Sequence, residues 1–264
     1  MIIDAHAHVW PDSIAPRILA TRPSGLDPRH DGTVNGLRRT MDDAGIDRAL
    51  TLGIAAVPQH VARTNEFIGS VDRSRFTPFG TIHPDLSNEE NLRHLRDNGI
   101  PGVKVHPLFQ EITLGSPRVL DLMAALAESG IVVLTHAGAG GDAAADARGA
   151  PQQLRSLAAA VPTLQLIACH YGGYHRLDEA EDVIVGTNVW LETSWPPSLG
   201  DLDPARIRAI IEKHGADRVV FGSDWPMTEP AAEIAAIRNL GLNADDEAGV
   251  LGGNLARLLK LDAA

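Results

Sequence analysis

The sequence predicts an α/β protein, a (β/α)8 TIM barrel formed as a single domain over residues 1–264, and three observations lead there. The chain has 264 residues, of which 44% are hydrophobic and 22% charged, enough apolar material to bury one sizeable core in water. Short β-branched or apolar runs recur with helical stretches between them, as parallel strands joined by crossover helices require. Eight such runs in this length suit a closed barrel better than an open doubly wound sheet, and no glycine-rich dinucleotide fingerprint follows the first of them.

The expected strands are residues 2–5, 49–54, 77–82, 102–106, 132–135, 165–169, 189–193 and 219–222. Between the third and fourth, Ser87-Asn88-Glu89-Glu90 reads as a helix start, and the charged amphipathic stretch after it stops at Asn98-Gly99. Between the seventh and eighth, Asp203-Pro204 opens a helix that ends at Gly215. Residues 245–261 read as a closing helix. Two connections are longer than usual for this fold, residues 11–32 after strand one and 138–151 after strand five, and both are expected over the face where a barrel carries its active site.

A formal net charge of −11 opposes binding to nucleic acid or anionic lipid, so a small-molecule substrate is the expected partner. The one cysteine, Cys169, forms no disulfide within the chain and suits a reducing compartment such as the cytoplasm. Residues 1–10 show neither a basic leader nor a long apolar stretch, so no secretion signal or membrane anchor is expected. A homo-oligomer is compatible with the sequence.

The chemistry-bearing residues concentrate at strand ends. His6 and His8 stand two apart on the first strand, so both imidazoles point to one face and can reach one ion. Chance alone gives about 0.5 such pairs among 11 histidines, so the pair needs its context. Lys104 ends strand four, His136 follows strand five, His170 follows strand six and Asp224 follows strand eight; in a parallel barrel these ends open on one face. Each also has a plainer role: the histidines as satisfied core groups, Asp224 as a turn cap, and Lys104 as the partner of a buried carboxylate such as Glu192. His83 and His106 are expected to be mainly structural. Trp10, Trp195 and Trp225, just past strand ends, could line a pocket or simply pack, and Arg22, Arg29 and Arg148 in the long loops could clamp a carboxylate.

Taken together, DAHAH at residues 4–8, GVKVHP at 102–107, THAG at 135–138, HYGG at 170–173, FGSDWP at 221–226 and GGNLARLL at 252–259 resemble the metal-dependent amidohydrolase superfamily, in its compact branch that includes aminocarboxymuconate-semialdehyde decarboxylase-like enzymes. The resemblance implies that His6, His8, His136 and Asp224 surround a divalent metal, most simply Zn2+, with His170 a further ligand or an acid/base. Lys104 matches the position where some members carry a carboxylated lysine bridging two ions, so one ion or two are compatible with the sequence. Hydrolysis of an ester, lactone or amide by metal-activated water, with Asp224 as proton acceptor, is the first expected activity. Nonoxidative decarboxylation of a small unsaturated or aromatic carboxylate is the second, and a catalytically inert ligand-binding barrel the third.

Overall fold

A computed structural model describes residues 1–21 and 26–261. Its strands are β1 (Ile3–His8), β2 (Arg48–Leu52), β3 (Phe76–Gly80), β4 (Gly102–Val105), β5 (Val132–Thr135), β6 (Leu166–Ala168), β7 (Trp190–Glu192) and β8 (Val219–Val220). They form one eight-stranded sheet in the order of the chain, with helices between successive strands, and the fold is a (β/α)8 barrel. Every expected run overlaps a strand. Most strands are shorter than the apolar run that signals them, because the run continues into buried loop at the strand's end. β5 coincides with its run, and β1 is longer than its own: it extends to His8, so both histidines lie within the strand. All six of its residues are buried, as expected for a barrel strand with a filled interior on one side and helices on the other.

By packing the chain divides into two compact units, Met1–Thr51 with Asp72–Thr77 and Glu192–Ala264, and Leu52–Val71 with Pro78–Leu191. In the first unit the Ala5 amide donates to the Phe221 carbonyl, a parallel bridge joins Ala7 to Trp225, and the Thr193 amide donates to the Val220 carbonyl. The first and last strands of the barrel are thereby neighbours. In the second unit β4 pairs with β5 over four positions, Gly102 opposite Val132 through Val105 opposite Thr135. Gly102 is demanded by its neighbour, since a Cβ there would lie 2.3 Å from the Phe79 ring.

The helices start and stop where local chemistry directs. Ser87 and Glu90 form a reciprocal capping box at the head of Asn88–Asp97, and the Asp203 carboxylate accepts from the Ala205 amide at the head of Pro204–His214. Pro117–Glu128 buries Val119, Leu122, Met123 and Leu126, a stripe at helical spacing. The closing segment differs from the single helix expected. Ala244–Ala248 and Asn254–Leu259 are joined by a π-helical turn, Gly249–Gly253, at which the Val250 carbonyl turns outward to accept from the Phe221 amide beside β8. Among the described residues no helix is long and apolar enough to cross a membrane.

The described residues of the two long connections carry defined structure. After β1 the chain forms the short helix Ala15–Leu19, then the amides of Arg29 and His30 both donate to the Pro226 carbonyl. After β5, Asp142 caps the helix Ala143–Asp146, and the Asp146 carboxylate accepts from the amides of Gly140 and Gly141.

Candidate metal centre

In the first unit β1 places Asp4, His6 and His8 on one face by the two-residue period of a strand. The Nε2 atoms of His6 and His8 are 3.1 Å apart, and Asp224 Oδ1 lies 3.3 Å from the one and 3.5 Å from the other. Donors bound tetrahedrally at zinc distances are separated by about 3.3–3.4 Å, and adjacent octahedral donors by about 3.1 Å, so this triangle has the dimensions of one face of a metal's coordination shell. Two imidazole nitrogens and a carboxylate are also the donors a borderline divalent ion accepts. The three residues fit the ion that the sequence implies.

Each donor is aimed by its surroundings. His6 Nδ1 lies 2.9 Å from Glu192 Oε2, and a carboxylate there can only accept, so the ring's proton is assigned to Nδ1 and Nε2 presents its lone pair toward His8 and Asp224. His8 stacks against Trp10, ring centres 5.9 Å apart. Asp224 has φ +62, a left-handed conformation uncommon for any residue but glycine. Several bonds hold the chain there: Ser223 donates to Asp4 through both its amide and its hydroxyl, Thr228 Oγ1 donates to the Ser223 carbonyl, and the Trp225 amide donates to the His6 carbonyl. Burial is the main force that pushes the Asp4 carboxyl up to about 6, with the bonds from Ser223 and His6 pulling the other way.

In the second unit His136 Nδ1 faces His170 Nε2 at 3.2 Å, and His136 Nε2 lies 3.1 Å from the Ala139 carbonyl. The carbonyl takes the proton on Nε2, leaving the lone pair of His136 on Nδ1. His170, Tyr171 and Gly172 have φ +58, +53 and +81, so the chain makes a left-handed turn just past β6, closed by the Gly172 amide on the Cys169 carbonyl and the Gly173 amide on the His170 carbonyl. Lys104 is fully buried, and its Nζ lies 2.9 Å from Cys169 Sγ.

The predicted residues thus fall into two groups, His6, His8 and Asp224 in one unit and Lys104, His136 and His170 in the other. His106 stacks between His136 and Phe109, with ring centres 4.3 and 3.8 Å away. His83 Nδ1 accepts from the Asp85 amide, the ring also bonds the backbone of Ala56, and burial is the main cause that keeps it neutral to lower pH. Trp225 is fully buried against His30, ring centres 5.7 Å apart, and donates to Thr40; it packs rather than lining a pocket. Arg29 is exposed, Arg148 is half-buried, and Arg22 lies outside the described residues.

Sequence reasoning passed over Asp4, Ser194 and Tyr174 and met Glu192 only as a counter-charge for Lys104. Asp4 had a signal, since it shares the parity of His6 and His8. Tyr174 packs its ring against both His136 and His170 at 6.3 and 5.1 Å, but nothing in its local sequence announces this.

The family model described as amidohydrolase matches residues 3–261. The chain belongs to the amidohydrolase family. No curated protein matches it. Among solved structures this amidohydrolase is similar to 5-carboxyvanillate decarboxylase from Sphingomonas paucimobilis, at 18% identity and TM-score 0.74 over 99% of both chains. It is similar to a dihydroxybenzoic acid decarboxylase from Polaromonas sp. with bound manganese and 2-nitroresorcinol, at 18% identity and TM-score 0.75 over 100% of this chain and 98% of the other. It is also similar to a candidate 2-pyrone-4,6-dicarboxylic acid hydrolase from Pseudomonas putida, at 17% identity and TM-score 0.71 over 100% and 98%. At these identities the likeness establishes the fold of the amidohydrolase, and the neighbours include both decarboxylases and a hydrolase.

Proposed function

We propose that this amidohydrolase is a metal-dependent enzyme acting on a small molecule, with His6, His8, Asp224 and His136 as metal ligands and His170 as a further ligand or an acid/base. The observation that carries the reading is the donor triangle of His6, His8 and Asp224, sized for a divalent ion. The barrel adds the second support, because the C-terminal ends of parallel barrel strands open on one face. Zn2+ suits the nitrogen-rich set best, with Mn2+ the alternative. When bound, such an ion supplies a Lewis acid that polarises an oxygen and lowers the pKa of water to about 7. A bridged pair of ions would need Lys104, whose Nζ is hydrogen-bonded to Cys169, carboxylated into an anion. Cys169, the one cysteine of the chain, is buried and supports a reducing compartment such as the cytoplasm.

The reaction read first is hydrolysis of an ester, lactone or amide. Asp224 accepts the proton of the attacking water, and His170 protonates the leaving group or stabilises the oxyanion. Nonoxidative decarboxylation is the second reading, favoured by the solved neighbours described as decarboxylases, one of them holding manganese. In it His170 delivers a proton to the carbon that loses carbon dioxide, and a substrate carboxylate takes the place of the scissile carbonyl. Metal-loaded protein is assayed against esters, lactones and amides for cleavage and against unsaturated and aromatic carboxylates for carbon dioxide release. Cleavage without gas supports the first reading and gas release the second; silence across both panels refutes the proposal.

A further inference from the structure

Glu192, the last residue of β7, is fully buried and is no expected metal ligand, yet the first unit is arranged around its carboxylate. Oε2 lies 2.9 Å from His6 Nδ1 and accepts from the Ser194 hydroxyl, also at 2.9 Å. Oε1 accepts from the Ser194 amide. The Ser194 hydroxyl is itself 3.2 Å from His6 Nδ1. On the remaining side the carboxylate lies over Gly222, where a Cβ would sit 2.2 Å from Oε1. A buried carboxylate is costly to keep unless its lone pairs are filled, and here an imidazole N–H, a hydroxyl and an amide fill them.

We propose that Glu192 is the residue that makes His6 a metal ligand: with Ser194 and the space left by Gly222, it fixes the His6 proton on Nδ1 and turns an unprotonated Nε2 toward His8 and Asp224. The inference rests on the metal-centre reading above and assigns it a positioning residue. Without the carboxylate, His6 Nδ1 is left facing the Ser194 hydroxyl, which can donate as well as accept and so does not select the tautomer, and the ring is free to place a proton on Nε2, where a cation cannot bind. The negative charge also raises the basicity of Nε2, and outer partners of this kind are worth about 10–100-fold in metal affinity. Gly222 supplies an independent handle, because the three atoms nearest a methyl group at that position all belong to Glu192.

The test begins with the wild type. Histidine 15N spectra of the metal-free protein, with His6 assigned through a His6→Gln variant, should show the Nδ1–H tautomer; the Nε2–H tautomer overturns the inference whatever any variant does. Zn2+ affinity is then measured by competition with a chromophoric chelator on wild type, Glu192→Ala, Glu192→Gln and Gly222→Ala, each checked for folding by circular dichroism. Glu192→Ala should bind Zn2+ about 10–100-fold more weakly, and Glu192→Gln, which keeps an acceptor but no charge, should fall between it and the wild type. Gly222→Ala should weaken binding in the same direction. If Glu192→Ala does not fold, Ser194→Ala takes its place, with a smaller loss expected. A folded Glu192→Ala or, in its stead, Ser194→Ala that matches the wild type overturns the inference. A wild type that takes up no Zn2+ or Mn2+ sinks the metal-centre reading and this inference with it, whereas a binding wild type with unaffected variants sinks the inference alone.

Discussion

Asp224 and His170, the two residues given proton-transfer work, both have left-handed backbone conformations, at φ +62 and +58. A non-glycine residue held there costs of order 1 kcal/mol, and such strain persists only where surrounding bonds enforce it. This leads to an opposed pair of effects at Asp224. Replacing it with glycine should raise the melting temperature of the metal-free protein, equivalent to about 1 kcal/mol, while abolishing activity and weakening metal binding; a glycine variant less stable than the wild type would contradict the strain account. The two histidines of the second unit should separate by readout. His136→Ala is expected to lose metal and activity together, while His170→Ala keeps its metal and loses about 10²–10⁴-fold in rate, as removal of an acid/base group does. Equal metal content in both variants would remove the distinction between ligand and acid/base. At this scale the donors were legible because histidines and an aspartate at strand ends are few and their parity is fixed by the strand period. Glu192 and Tyr174 were not, since a lone glutamate or tyrosine gains meaning only from the partner that long-range folding brings to it.

Within the second unit, backbone bonds tie the loops after β5 and β6 to one another. The Tyr174 amide donates to the Ala137 carbonyl and the Ala139 amide to the Tyr174 carbonyl, so the two loops run side by side through Gly138. Gly138 has φ +105, and a Cβ on it would lie 2.3 Å from both the amide nitrogen and the carbonyl oxygen of Tyr174. Gly138→Ala should therefore separate the loops, displace the Ala139 carbonyl from His136 Nε2 and lower both metal affinity and rate, with the far-UV circular dichroism of a folded barrel. Unchanged kinetics would show that the loop contact does not orient His136. The sequence placed strands, caps and the two long connections because those follow from apolar runs, Ser/Asp starts and Pro/Gly composition. It did not foretell that the loop at 138–151 is a capped helix zipped to its neighbour, nor that the closing helix widens into a π turn, because each depends on a carbonyl or amide supplied from a distant strand.

For the molecule as a whole, the buried acids make stability depend on pH in a direction that can be worked out. Glu233, in the helix Pro230–Arg238, is 1% exposed and accepts from the Leu199 amide through both oxygens, anchoring the loop after β7. Burial is the largest cause that pushes its carboxyl from 4.5 up to about 7; the bonds from Leu199 and Ser198 act downward, and the negative charges of Glu192 and Asp4 add to the rise. Between those two values the folded protein holds a proton that the unfolded chain has already released. Stability contributed by the protonated form is therefore complete below about pH 4.5 and lost as pH rises through about 7, by at most about 3 kcal/mol. Glu233→Gln keeps an acceptor for the Leu199 amide and has no proton to lose. It should match the wild type near pH 5 and exceed its melting temperature by several degrees at pH 8, a difference of about 3 kcal/mol at the upper bound. Thermal melts of both proteins from pH 5 to 8 decide it: parallel curves across that range would mean that Glu233 already carries its charge in the fold at no cost, and that burial beside Asp4 and Glu192 is offset by the loop it holds.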